Sequence, residues 1–169
     1  MRRAHSEHPI AAVQSEYSLW TRNAELGLLQ ACEELGTVFV AFSPVGRGYF
    51  SGLLQDVETF AEADFRSSQP RFAGIHWRRN RDRLEPFLAY ARELGVKPAT
   101  LAIAWTLAKG SHILPIPGTR TAAHLRECAD AGALALTPGQ VAEIERILPL
   151  GYAAGERYNE TQWVGIQRF

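Results

Sequence analysis

Two short turns built from glycine and arginine carry the chemistry of this chain. One ends the apolar run Ile113-Leu-Pro-Ile-Pro-Gly-Thr-Arg120 and opens directly onto a helical segment beginning Thr121-Ala-Ala-His. Backbone N–H groups at a helix start lack intrahelical acceptors and carry the positive end of the helix dipole, so a phosphate placed there meets donors already aimed at it. Arg120 adds a planar fork of further donors. The other turn is Ser43-Pro-Val-Gly-Arg-Gly48. Together the two point to a nucleotide cofactor, with this chain supplying one part of its site. Taken singly, residues 118–120 read equally well as a β-to-α turn bearing a surface arginine.

The elements that must position these turns alternate. Short apolar runs predict strands from Ala11 through Val13 to Tyr17, from Val38 to Phe42 and from His112 to Ile116. Between the first two, a helix is expected from an Asn23 cap through Leu26, Leu29 and Cys32 to Gly36. Residues 44–79, with several glycines and prolines, are too irregular for one element, and loops of that length are usually functional. Helices follow over 81–94 and 98–108, with Pro86 marking a first turn or a kink. Another helix opens near Thr121, and Thr137-Pro-Gly-Gln140 has the form of a capping box with proline at the first helical position. Such alternation predicts a parallel sheet covered by helices.

A parallel β/α unit either closes into a barrel or stays open and doubly wound. Barrels of eight β/α units often build a phosphate site from the loops after their last two strands, which matches turns following the second and third strands here. A doubly wound dinucleotide fold requires G-x-G-x-x-G entering a helix. Gly46-Arg-Gly-Tyr-Phe-Ser-Gly52 misses that spacing and lies in the long loop.

With 169 residues, 46% of them apolar and a formal net charge of zero, the chain suits one domain, residues 1–169, with no overall field favouring nucleic acid or an acidic membrane. No apolar run approaches the roughly 20 residues needed to cross a bilayer. Cys32 and Cys128 form neither a disulfide framework nor a metal-ligand spacing, so a cytoplasmic location is expected. The histidines show no metal spacing beyond His5 and His8 beside the terminus.

Several segments, in order, resemble the C-terminal part of the aldo-keto reductases, in particular bacterial, plant and fungal members with a potassium-channel-β-subunit-like pattern. They are Val13-Gln-Ser-Glu-Tyr-Ser-Leu-Trp-Thr-Arg22, Phe39-Val-Ala-Phe-Ser-Pro-Val-Gly-Arg-Gly48, Pro70-Arg-Phe72, Pro115-Ile-Pro-Gly-Thr-Arg120 and Ala154-Gly-Glu-Arg-Tyr158. The resemblance implies a (β/α)8 TIM barrel of which this chain holds about the last three β/α units. It implies hydride transfer between NADP(H) and an aldehyde or ketone. Gln14 then corresponds to the glutamine that hydrogen-bonds the nicotinamide carboxamide, and Phe42 to the ring stacked on the nicotinamide. Ser43, Pro44, Val45 and Arg47 correspond to the loop along the pyrophosphate and ribose. Gly118, Thr119 and Arg120 correspond to the receiver of the 2′-phosphate, and Glu127 to an adenine-side contact. At two further cofactor positions the chain departs from the pattern: Cys128 replaces the usual asparagine and His124 the usual arginine or glutamine.

The same resemblance implies a catalytic tyrosine tuned by lysine and histidine and supported by aspartate, all on earlier strands that this chain lacks. Independently, a tyrosine with a reference pKa of about 10 needs a nearby cation to act as an acid at neutral pH. The two lysines, Lys97 and Lys109, read as surface charges, and Glu16 and Tyr17 as structural. Three strands leave two free sheet edges and an apolar face, so self-association or pairing with a missing barrel half is expected. Other readings stay open. A non-catalytic NADPH-binding or partner-binding subunit is one. A nucleic-acid module built on Arg66, Arg71, Arg78, Arg79, Arg81 and Arg83 with Phe65, Phe72 and Trp77 is another, diluted by Asp64, Asp82 and Glu85. The tail, with Tyr158, Trp163 and Phe169, is a candidate contributor to substrate choice.

Overall fold

The structure, a computed structural model, describes residues 1–54, 57 and 60–164. Strands β1 (Ala12–Glu16), β2 (Val38–Phe42) and β3 (Ile113–Ile116) form one parallel sheet in that order. The register pairs Gln14 with Val40, Glu16 with Phe42 and Phe42 with Ile116. These residues therefore share one face, since partners in register point the same way and side chains alternate along a strand. Among the described residues six α-helices accompany the sheet: α1 (Arg2–Glu7), α2 (Leu28–Glu34), α3 (Gly74–Glu93), α4 (Pro98–Ala108), α5 (Ala122–Asp130) and α6 (Pro138–Ile147).

The two sheet faces differ sharply. Phe39, Ala41 and Ile113 are buried in a core shared with Tyr17, Leu101, Trp105 and Ile144. Helix α4 is buried along almost its whole length, from Ala99 to Thr106. The opposite face is open: Val38, Leu114 and Ile116 are 40%, 54% and 42% exposed. Both β1 and β3 are edge strands, as a three-strand unit requires. No helix among the described residues is long and apolar enough to cross a membrane.

Local chemistry corrects the expectations at two helices. The helix expected from Asn23 is two elements, a short 3₁₀ turn (Asn23–Glu25) and α2, because Gly27 adopts φ 117 between them. Asn23 caps nothing there, and Leu26, expected on the apolar face, is exposed. The turn stands apart because the Tyr17 hydroxyl and the Arg22 fork both donate to the Glu25 carboxylate and fix it. Helix α3 begins earlier than expected, at Gly74, so Pro86, expected at a first turn or a kink, lies in the helix interior. Pro86 is tolerated on the solvent side while Trp77, Leu84, Phe87 and Ala91 anchor the opposite face. Helices α4 and α6 match expectation, and the capping box forms with Thr137 accepting from the Gln140 N–H.

Candidate functional site

Both turns follow strands that run in the same direction, so both lie at one end of the sheet. Turn 43–48 leaves β2 through Ser43, whose φ is 54, and continues through Arg47 at φ 57; among the described residues these are the non-glycine residues in the left-handed region. Such residues are uncommon, and they persist only where the surroundings over-determine them. The Gly46 N–H donates to the Ser43 carbonyl at 2.9 Å and the Gly48 N–H to the Val45 carbonyl at 3.2 Å. A side chain at Gly46 is disfavoured twice, by its φ of 57 and because a Cβ there would stand 3.1 Å from the Trp20 ring, which itself stacks on Tyr49 with centroids 4.0 Å apart. Pro44 is buried, while Phe42, Ser43, Val45 and Arg47 are half-buried.

The second turn is bare by comparison. Gly118, Thr119, Arg120 and His124 are all exposed. Thr121 caps α5, its hydroxyl accepting from the His124 N–H at 3.1 Å, while the Thr119 hydroxyl donates to the Thr121 carbonyl. Glu127 and Cys128 sit half-buried on α5, and the Glu127 carbonyl accepts from the Thr100 hydroxyl at 2.7 Å. Burial pushes the Cys128 thiol above its usual pKa, with the Glu127 charge adding to it.

Gln14, Phe42 and Ile116 lie on the open face near the same end of the sheet. Gln14 is exposed: nothing among the described residues covers that part of the face. Two residues on, still on that face, Glu16 is only 3% exposed because turn 43–48 and the segment around Tyr158 close over it.

The sequence profile of the Aldo/keto reductase family matches residues 1–149. The chain belongs to that family. The "Probable aldo-keto reductase 1" of Glycine max is 39% identical over 160 residues, which are 94% of this chain and 45% of that protein. A glycerol dehydrogenase from Gluconobacter oxydans superimposes with a TM-score of 0.77 at 24% identity, covering 85% of this chain and 44% of the other. An aldo/keto reductase from Klebsiella pneumoniae, solved with NADP and acetate, gives 0.57 at 23% identity over 88% of this chain and 42% of that one. This aldo/keto reductase chain thus spans less than half the length of these relatives, and its three parallel strands are a segment of their TIM barrel.

Several residues find roles that their types alone did not announce. Lys109, expected at the surface, donates to Glu145 at 2.8 Å and lies over the Trp105 ring. Buried Asn80 donates to the carbonyls of Arg71 and Ala154 and accepts from the Ala154 N–H, tying the long loop to the C-terminal segment. Arg71 donates to the Trp20 carbonyl and the Thr21 hydroxyl, and Phe72 and Trp77 are core residues, so these three members of the arginine and aromatic series offer no stacking groove. Tyr17 and Glu16 are structural, as expected, each held in an ion-pair cluster. All five tyrosines have pKa values pushed up, in each case chiefly by burial. A cavity of about 650 Å³ between the C-terminal end of α4 and α6 lies at the other end of the sheet from the two turns.

Proposed function

We propose that this chain is the NADP(H)-clamping part of an aldo/keto reductase acting on an aldehyde or ketone. One observation carries the reading: the left-handed turn 43–48 and the exposed start of α5 stand after adjacent parallel strands, at the same end of the sheet. Their donors fit the group. Arg120 and the first N–H groups of α5 form an exposed cationic corner suited to a 2′-phosphate. Ser43, Pro44 and Val45, with the backbone of Arg47, would line the pyrophosphate and ribose, and Gln14 and Phe42 on the open face would meet the nicotinamide amide and ring. His124, Glu127 and Cys128 would flank the adenine. When bound, the nicotinamide supplies or accepts the hydride; these residues orient it and cover one side from water. NADP in the Klebsiella relative supports the same assignment.

The proton donor for the carbonyl would come from outside residues 1–169. A general acid needs a pKa near the working pH, and burial moves every tyrosine here the other way. That observation favours, as a second reading, a subunit that binds NADPH without turnover. The open face, with Leu114 and Ile116, is the surface that the remaining barrel strands would cover.

The test is titration of the purified chain with NADPH and with NADH, followed by quenching of its tryptophan emission. Saturable NADPH binding, about tenfold weaker with NADH and about tenfold weaker in Arg120→Ala, is expected. A folded chain that binds neither nucleotide overturns the reading.

A further inference from the structure

Strand alternation, not any motif, puts Glu16 on the face that carries Gln14, and its surroundings are unlike those of any other carboxylate among the described residues. The Thr21 hydroxyl donates to Oε1 at 3.0 Å. On Oε2 converge Arg47 Nη2 at 3.0 Å, the Tyr158 hydroxyl at 3.3 Å and Arg157 Nε at 3.6 Å. Arg71 in turn donates to the Thr21 hydroxyl at 2.8 Å, so that hydroxyl accepts from one partner and gives its proton to Glu16. A carboxylate taken out of water needs this many partners, and removing it would leave Arg47 and Arg157 as poorly compensated charges.

The partner that matters is Arg47. Its backbone sits at φ 57, ψ 33, a conformation that costs a non-glycine residue about 1–2 kcal/mol. Its side chain is what holds it there. The guanidinium is bonded to Glu16 and lies 5.1 Å from the Tyr158 ring centroid and 5.7 Å from that of Phe65, and the side chain as a whole is 12% exposed. The Arg47 carbonyl also accepts from Arg66 Nη1 at 3.2 Å. The segment carrying Arg157 and Tyr158 is itself tied down, Asn159 and Gln162 donating to the Ser68 carbonyl and hydroxyl. The guanidinium therefore points away from the turn's outer surface, and the arginine serves the turn from beneath.

We propose that Glu16 is a positioning residue: through Arg47 it keeps turn 43–48 in its left-handed form before any cofactor arrives, and through Tyr158 and Arg157 it makes the C-terminal segment part of that brace. The inference rests on the reading that turn 43–48 lies along the cofactor's pyrophosphate. Preformed donors spare a ligand the ordering cost that a loose turn would impose. Glu16 touches no substrate or cofactor in this scheme.

The test compares the wild-type chain with Glu16→Gln, using NADPH and adenosine 2′-monophosphate, which carries only the phosphate that Gly118, Thr119 and Arg120 would receive. Glu16→Gln is expected to weaken NADPH binding about tenfold and leave adenosine 2′-monophosphate within about twofold, with Glu16→Asp intermediate. Independently of any cofactor, the amides of Gly46 and Gly48 should exchange with solvent about tenfold faster in Glu16→Gln. In an Arg47→Gly background, where glycine accepts positive φ freely, Glu16→Gln should add little. Unchanged exchange at Gly46 and Gly48 overturns the inference even if no nucleotide binds. Equal NADPH affinity, or a parallel loss of both ligands, overturns it where the wild type binds. A wild-type chain that binds neither ligand, yet shows the exchange difference, sinks the cofactor reading and keeps the brace.

Discussion

The two turns end adjacent strands of one sheet, yet one is built and the other is bare. Turn 43–48 is packed from below by Trp20, Tyr49 and Phe50 and tied by an ion pair to a buried carboxylate. Residues 118–120 lie exposed to solvent, ordered locally by Thr119 and Thr121. The difference follows from what each would do. A turn that runs along a diphosphate backbone works through shape, so its conformation must exist in advance. An arginine that discriminates one phosphate works through charge, which acts over a distance and tolerates a mobile side chain. Changes at the first should therefore act on stability and geometry, and changes at the second on ligand choice alone.

The largest effect is expected beneath the built turn. Asn80→Ala leaves the carbonyls of Arg71 and Ala154 and the Ala154 N–H without their partner, a loss of about 3 kcal/mol in urea unfolding. A loss under about 1 kcal/mol would mean that the long loop and the C-terminal segment are not tied there. Next is Gly46→Ala, whose Cβ would crowd the Trp20 ring at a φ of 57; it should destabilise by about 1–2 kcal/mol and weaken NADPH binding with it. Arg120→Ala should leave unfolding within about 0.5 kcal/mol while flattening the salt dependence of NADPH binding, and a stability loss like that of Gly46→Ala would erase the contrast between the turns.

The contrast was half legible in the residues. Strands β2 and β3, helix α4 and both capped helices α5 and α6 follow from apolar runs, prolines at helix starts and threonine caps, all local signals. So does the placing of both turns at strand ends. The brace is not local: Glu16, Arg47, Arg71 and Tyr158 are brought together from four separate segments, and nothing in their spacing announces it. A pattern hint existed, since Gln14 and Glu16 alternate onto one face, but only the packing of turn 43–48 over the second shows why one is exposed and the other buried. Gly27 likewise broke an amphipathic pattern because the Tyr17, Arg22 and Glu25 cluster fixed the preceding turn. The exposure of Gln14 has the same origin as that of Leu114 and Ile116, a sheet face that no described element of the chain covers at that point.

The smallest effect expected is also the one that joins the two turns. Asp64 is held down to a pKa of about 2, first by the Arg66 guanidinium hydrogen-bonded to it, with the Arg66 backbone N–H and charge adding, and more weakly by the charge of Arg120. A carboxylate depressed in the folded chain stabilises it above the unfolded value of about 3.9, and that contribution is lost as the pH falls toward about 2. Carbon-13 NMR of the Asp64 carboxyl should therefore show a midpoint near 2, and a midpoint near 4 would mean that the Arg66 fork is open in solution. Arg66 also donates to the Arg47 carbonyl, so the residue that responds to Arg120 is wired to the built turn. Arg120→Ala should raise the Asp64 midpoint slightly, and binding of adenosine 2′-monophosphate to the wild type, which cancels the Arg120 charge, should raise it in the same direction. A midpoint indifferent to both would show that the two turns share an end of the sheet and no electrostatic connection.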